Sequence, residues 1–195
     1  MRITGGKLSG HFTQCPDGKM AIRPAMDRMR ESLFSIIESK LPGKSFLDLF
    51  SGSGTIAIEA ASRGASKVSL CEMDKAKART VFENVAITEK ELGLKIDCHF
   101  IAVELFLKRL KDSYDFIFFD PPFPYKYRKE LIETVSKRNL LTQGGTVLIH
   151  HPKEDPLPEK IGNLFRYDQR VYGRSIVDFF TTENSDEQNA TINSN

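Results

Sequence analysis

The chain has 195 residues, 28 Lys and Arg against 26 Asp and Glu, a formal net charge of +2, and 40% apolar residues. That length predicts one domain, or one with an appendage, with enough chain to bury a core, and no apolar run is long enough to span a bilayer. Cys15, Cys71 and Cys98 are odd in number, widely spaced and without a C-x-x-C pair, which argues against a disulfide framework and a zinc site.

Residues 1–20 are polar and Gly-rich rather than a signal-peptide core, which points to a cytoplasmic protein. Residues 1–45 carry eight basic side chains against four acidic ones, a balance compatible with a nucleic-acid partner. The opening Arg2 to Phe12 reads as two short strands around a Gly-rich turn, stopped by Cys15-Pro16-Asp17-Gly18. Pro24 suits the first position of a helix in which Met26, Met29, Leu33, Phe34, Ile36, Ile37 and Leu41 recur at helical spacing, and Pro42-Gly43 ends it. Its polar face carries Arg23, Arg28 and Arg30, which face either solvent or RNA phosphates.

From Phe46 the pattern is strand, Gly loop, helix, repeated. Strands are expected at Phe46–Phe50, Lys67–Cys71, Lys95–Ala102, Tyr114–Asp120 and Thr146–His150, the last preceded by a Gly144-Gly145 turn. Helices alternate with them, through Arg63, from about Asp74 to Ala86, to Leu110, and from Arg128 to Asn139. This is an α/β class, a doubly wound and mostly parallel Rossmann-like sheet. Phe165–Val171 and Ser175–Thr181, separated by Tyr172-Gly173-Arg174, read as an antiparallel hairpin. The tail from Thr182, with three acidic and no basic residues, is expected to be disordered.

Tyr114 to Asp120 is apolar enough to be covered on both faces and ends in Asp120-Pro121-Pro122-Phe123. Neither proline has an N–H, so the chain leaves the sheet presenting acceptors: the Asp120 carboxylate, the Pro121 carbonyl and, beside them, the flat face of Phe123. That set suits a planar ligand with an exocyclic amine, such as a nucleobase. In a doubly wound sheet, ligands bind beyond the carboxyl ends of the strands, where the Gly52-x-Gly54-x-x-Ala57 loop, Glu72 and Asp120 all fall. The loop and Glu72 alone suit a dinucleotide equally well. Asp48 discriminates, because it would repel a pyrophosphate and attract the ammonium of S-adenosylmethionine.

Arg2-Ile-Thr-Gly-Gly, Arg23-Pro-x-x-Asp27-Arg28-x-Arg30-Glu31-x-Leu33-Phe34, Asp48-Leu-Phe-Ser-Gly-Ser-Gly54, Glu72-Met-Asp74, Asp120-Pro-Pro-Phe123 and Tyr172-Gly173 occur in that order. Over about residues 2–181 the chain resembles the bacterial 16S ribosomal RNA guanine-N2 methyltransferases that modify guanine 966. The resemblance implies a short N-terminal extension (1–45), an S-adenosylmethionine-dependent methyltransferase domain (46–181) and a tail (182–195). It implies cofactor contacts at Asp48, Phe50, Gly52, Gly54, Glu72, Met73, Ala102, Val103 and Asp120. Substrate contacts fall on Arg23, Arg28, Arg30, Pro122, Phe123 and Tyr172, and the catalytic group is Asp120, Pro121 and Phe123. The implied substrate is 16S ribosomal RNA, naked or in an assembling small subunit, and the implied enzyme is a monomer that needs no metal. Two departures from the family pattern are Ala25, where a Thr is usual, and Ala102, where Asp or Asn is usual.

Asp120 and the Pro121 carbonyl would each accept one N–H of the amine, turning its lone pair toward the methyl donor. Other readings are a DNA or other RNA amino-methyltransferase, for which no target-recognition domain is visible, a protein glutamine methyltransferase, for which Asn would suit position 120, an NAD-dependent dehydrogenase, and a non-catalytic RNA-binding module. His150 and His151 are adjacent on a strand and point to opposite faces, so the expectation for them is the surface or a pocket rim rather than a shared metal ion. Lys7, His11 and Lys19 are expected in solvent.

Overall fold

The computed structural model describes residues 1–15 and 24–182, with side chains from residue 27 onward in the second stretch. Arg23, Lys19, the side chain of Ala25 and the expected disorder beyond Thr182 therefore lie outside the described residues. The chain divides into two compact units, Met1–Phe106 and Leu107–Asn195.

In the first unit α1 (Pro24–Ile37) is followed by β1 (Ser45–Leu49), α2 (Thr55–Ser62), β2 (Lys67–Cys71), a 3-10 turn at Lys75–Lys77, α3 (Ala78–Leu92), β3 (Ile96–His99) and α4, which starts at Val103 and ends at Arg109. β2 lies between β1 and β3 and pairs with both in parallel, from Ser45↔Lys67 to Leu49↔Cys71 and from Val68↔Ile96 to Cys71↔His99. β1 and β2 are buried along all but their first residues, as strands covered on both faces must be. α1 turns Met29, Leu33, Phe34 and Ile37 inward, in agreement with their spacing.

The N-terminal segment forms a single antiparallel bridge, Arg2↔Phe12, instead of the two expected strands. Several of its backbone donors go to α2 instead of to a ladder, while the Ile3 and Thr13 N–H groups bond across the turn to the His11 and Met1 carbonyls. The Thr4 N–H donates to Glu59 Oε2 at 2.9 Å, Lys7 N–H to the Ser62 carbonyl at 2.8 Å, and Leu8 N–H to Ser62 Oγ at 2.8 Å. Glu59, fully buried, also accepts the Thr4 hydroxyl at 2.8 Å and Arg63 Nε at 2.9 Å.

In the second unit β4 (Tyr114–Phe119) is followed by α5 (Arg128–Lys137), β5 (Leu141–Pro152), β6 (Lys160–Ile161), β7 (Leu164–Tyr172) and β8 (Ser175–Thr181). β5 is parallel to β4 and antiparallel to β8; β8 and β7 form the expected hairpin, and β6 adds two residues to β7. β5 starts five residues before the expected Thr146, because Gly144-Gly145 is an irregularity inside the strand. The register jumps from Tyr114↔Leu141 to Phe116↔Thr146. Any side chain at Gly145 would meet the Asp115 and Thr142 carbonyls at under 3 Å, so the bulge needs a glycine there.

Candidate active site

In the first unit the carboxyl ends of β1 and β2 carry most of the residues expected to hold a cofactor. Asp48 is buried, and its Oδ2 accepts the Ala57 N–H at 3.1 Å, tying the strand to the first turn of α2. The chain then leaves β1 through three residues of positive φ, Phe50 at 63°, Gly52 at 59° and Gly54 at 78°. For Phe50 that conformation is strained, of the kind that collects at functional loops.

Glu72, just beyond β2 and buried, closes this loop. Its Oε2 accepts the Gly52 N–H and its Oε1 the Asp74 N–H, both at 2.8 Å, and Lys77 Nζ stands 3.4 Å away. The Gly loop and Glu72 are thus brought together, and Met73 beside them is 67% exposed. The two glycines differ in purpose. A methyl at Gly54 would press on Leu70 Cδ2 at 3.2 Å, whereas one at Gly52 would enter open space. Ser51 Oγ, in the same loop, is buried without a hydrogen-bond partner. An orphaned hydroxyl and an open backbone face between two carboxylates fit a ligand that brings donors, an ammonium and a diol, better than an anionic pyrophosphate.

Beyond β3, the Ala102 carbonyl accepts the N–H groups of Leu105 at 3.1 Å and Phe106 at 2.9 Å, so Ala102 opens α4 without a side-chain cap; Val103 is buried. Cys71 donates its thiol to the Ile101 carbonyl at 3.2 Å. Burial, reinforced by the Glu72 charge, pushes that thiol up to about 12, so it is not a nucleophile.

In the second unit Asp120-Pro121-Pro122-Phe123 follows β4 as expected. Phe123 is 49% exposed, and the Asp120 side chain is 28% exposed. Two residues not anticipated as site groups hold this loop. His150, one position beyond the Phe119↔Ile149 pair, places Nδ1 2.8 Å from Asp120 Oδ1 and packs against the Phe123 ring with centroids 5.5 Å apart. Arg128, the buried first residue of α5, donates through Nη2 to the Phe123 carbonyl at 2.5 Å and the Pro122 carbonyl at 3.3 Å, and through Nη1 to Asp155 at 2.6 Å. The sequence carries no local signal for His150, because the register of β5 against β4 is what brings it to Asp120. Arg128 has none either, because its partners are carbonyls and a distant Asp.

Two expectations need correction. Arg30 is not on a solvated or phosphate-facing helix surface; it is 1% exposed, donates to the Arg2 carbonyl at 2.6 Å and pairs with Asp27 at 3.2 Å and Glu59 at 3.6 Å. Of the three arginines, only Arg28 is described as exposed. Of the two placements expected for His150 and His151, the surface is excluded and the pocket rim is not: both are buried, each with its own carboxylate, Asp120 and Asp178. Tyr172 ends β7 at the hairpin turn, with its carbonyl accepting Ser175 Oγ at 3.1 Å.

The family described as conserved hypothetical protein 95 matches residues 1–181. The chain belongs to that family. It is 27% identical over 190 residues to ribosomal RNA small subunit methyltransferase D of Escherichia coli K12, covering 97% of this chain and 94% of the relative. It is 30% identical over 179 residues to the putative rRNA methyltransferase YlbH of Bacillus subtilis, covering 91% and 96%. A solved putative methyltransferase of Escherichia coli superposes with a TM-score of 0.81 at 26% identity, over 92% of this chain and 96% of that one. A putative methylase of Haemophilus influenzae gives 0.78 at 25%, over 94% and 99%. The fold is therefore the Rossmann-like methyltransferase fold, and this family member is an S-adenosylmethionine-dependent ribosomal RNA methyltransferase.

Proposed function

We propose that the enzyme transfers a methyl group to the exocyclic N2 amine of a guanine in small-subunit ribosomal RNA, at a site of the guanine-966 type. The observation that carries this reading is the pair of open acceptors after β4. Among the described residues, Asp120 Oδ2 and the Pro121 carbonyl accept no hydrogen bond, and the half-exposed Phe123 follows in the same loop, its ring against the His150 that holds Asp120. The names of the relatives support the choice of small-subunit RNA.

S-adenosylmethionine supplies an electrophilic methyl group on its sulfonium. In this reading Glu72 takes the ribose hydroxyls, Asp48 attracts the ammonium, and the open backbone face at Gly52 lies against the ligand; Phe50, Gly54, Met73, Ala102 and Val103 complete the contacts. A guanine amine is planar because its lone pair is delocalised into the ring. Asp120 and the Pro121 carbonyl each accept one of its hydrogens, which rehybridises the nitrogen and turns its lone pair toward the donor; Pro122 lines the approach. Positive charge then grows on nitrogen, and the adjacent Asp120 carboxylate stabilises it. The methylated ammonium is acidic, and Asp120 takes its proton. Phe123 stacks on the base, which has to leave its own stack to enter. Arg28 meets RNA phosphate, Tyr172 contacts RNA at the hairpin turn, and the enzyme works as a cytoplasmic monomer.

The test is mass-spectrometric nucleoside mapping of small-subunit RNA from cells with and without the protein, followed by in vitro transfer with labelled methyl donor. One N2-methylguanosine missing from the deficient cells and restored in vitro is expected. A methyl on another base, on DNA or on a protein amide would overturn the reading.

A further inference from the structure

We propose that His150 is a positioning residue for the methyl transfer: it fixes the Asp120 carboxylate in one orientation, so that the reacting amine always meets Oδ2 together with the Pro121 carbonyl. The inference rests on the reading above, in which Asp120 holds the amine, and adds how that carboxylate is kept in place.

An aspartate side chain turns easily about its last torsion and offers either oxygen. Here one oxygen is committed. His150 Nδ1 lies 2.8 Å from Asp120 Oδ1, and a carboxylate only accepts, so the proton between them resides on Nδ1. The imidazole itself has little freedom. It is 2% exposed on β5, and the edge-on Phe123 ring packs against it. Its Nε2 is buried with no hydrogen-bond partner. A protonated Nε2 would leave a donor unsatisfied in the interior, so the neutral ring carries its single proton on Nδ1, where Asp120 receives it.

Other acceptors of the loop are occupied as well. Arg128 takes the Pro122 and Phe123 carbonyls, and the Pro122 carbonyl also accepts the Tyr125 N–H at 2.8 Å. With Asp120 Oδ1 held by His150, the unused acceptors of Asp120-Pro121-Pro122-Phe123 include Oδ2 and the Pro121 carbonyl. An amine that is about to react has two hydrogens to place. The two oxygens are chemically equivalent, so a half-turn restores the same array; without the His150 bond, however, the carboxylate plane is free to stop at intermediate angles, and the lone pair then swings away from the methyl. A misplacement of about 1 Å costs on the order of a hundredfold in rate.

Single-turnover methyl transfer to small-subunit ribosomal RNA, at saturating S-adenosylmethionine and RNA, tests the assignment. His150→Leu is expected to lower the rate by about 10- to 100-fold with unchanged affinity for S-adenosylhomocysteine. His150→Asn keeps a side-chain N–H donor near the Nδ1 position and is expected to recover most of the loss. A wild-type rate in His150→Leu, or a His150→Asn variant as slow as His150→Leu, would overturn the proposal. Should either substitution unfold the protein, nitrogen-15 spectra of the histidines in the wild-type chain decide instead. A ring protonated on Nδ1 and bare on Nε2 supports the proposal, and the opposite tautomer overturns it because it cannot donate to Asp120. If the wild-type chain methylates no RNA, the substrate reading fails while the tautomer result stands; if it does and His150→Leu keeps pace, the positioning role alone falls.

Discussion

Arg28 and Arg30 are two positions apart on α1, a spacing that turns a helix by about 200°. Arg28 faces solvent, whereas Arg30 is 1% exposed and sits between the Arg2 carbonyl, Asp27 and Glu59. Glu59 in turn receives Thr4 and Arg63, so one buried carboxylate joins the N-terminal segment, α1 and α2. The Arg-Ile-Thr-Gly-Gly start is in part a structural clamp. Breaking a buried ion pair from one side costs about 3 to 5 kcal/mol. Denaturant unfolding of Arg30→Met is expected to show a loss in that range, while Arg28→Ala stays within about 0.5 kcal/mol of wild type. RNA binding measured against salt is expected to separate them in the other direction. Arg28→Ala should reduce the slope by about 0.7 for a single-strand phosphate contact, and an unchanged slope would leave Arg28 a solvated side chain.

At the scale of elements, the turn from β4 into α5 is held by a side chain that belongs to the helix. Arg128 reaches back to the Pro122 and Phe123 carbonyls and is anchored by Asp155. Arg128→Met keeps the length and apolar stem of the side chain but loses these bonds, so Phe123 should be less well placed to receive a base. The expected outcome is a KM for RNA raised by about tenfold, the lower end of the 1 to 3 kcal/mol of a base–aromatic stack, with turnover less affected. A loss confined to kcat, with KM unchanged, would argue against a role in base capture. The hairpin of β7 and β8 encloses a second charged group. Burial pushes the Asp178 carboxyl up, but hydrogen bonds from His151 and Gln169 and the charges of His151 and Arg166 outweigh it and hold the carboxyl below its usual range. A group whose folded value is depressed contributes stability above its unfolded value of about 3.9 and loses it as the pH falls through the folded value. The wild-type Tm should therefore fall as the pH drops below about 4. Asp178→Asn should start less stable and show a shallower acid limb; identical limbs would mean that another carboxylate governs acid unfolding.

Across the molecule, the proposed roles fall on separate stretches of the chain. Apart from Asp120, the residues that would hold the methyl donor lie within 1–106; the unused acceptors and Phe123 lie within 107–182. Binding and chemistry should accordingly separate by mutation. Glu72→Ala removes the acceptor of the Gly52 N–H in the Gly loop and of the Asp74 N–H beyond β2, and is expected to weaken S-adenosylmethionine binding by about 1.5 to 3 kcal/mol in calorimetry. Asp120→Asn keeps the shape but loses the charge, and is expected to lower single-turnover transfer by about a hundredfold or more with cofactor affinity little changed. Calorimetry that finds Glu72→Ala unaffected, or transfer at the wild-type rate in Asp120→Asn, would remove that residue from its role.

Local chemistry was enough to read much of this protein from its sequence. β4 is apolar throughout and stops at two prolines, the Gly loop follows the first strand, and the hairpin is marked by Tyr172-Gly173-Arg174; each signal is contained in a few adjacent residues, where periodicity and backbone sterics act. What escaped depended on partners distant along the chain. Arg30 lies inside because Glu59, 29 positions later, is buried at the same spot and an arginine there lowers the cost of that charge. His150 meets Asp120 only because β5 pairs in parallel with β4 through a bulge at Gly144-Gly145, a register that sequence periodicity does not set. Arg128 found its place for the same reason: a turn's free carbonyls have no signature in sequence, and only the folded chain brings a guanidinium to them.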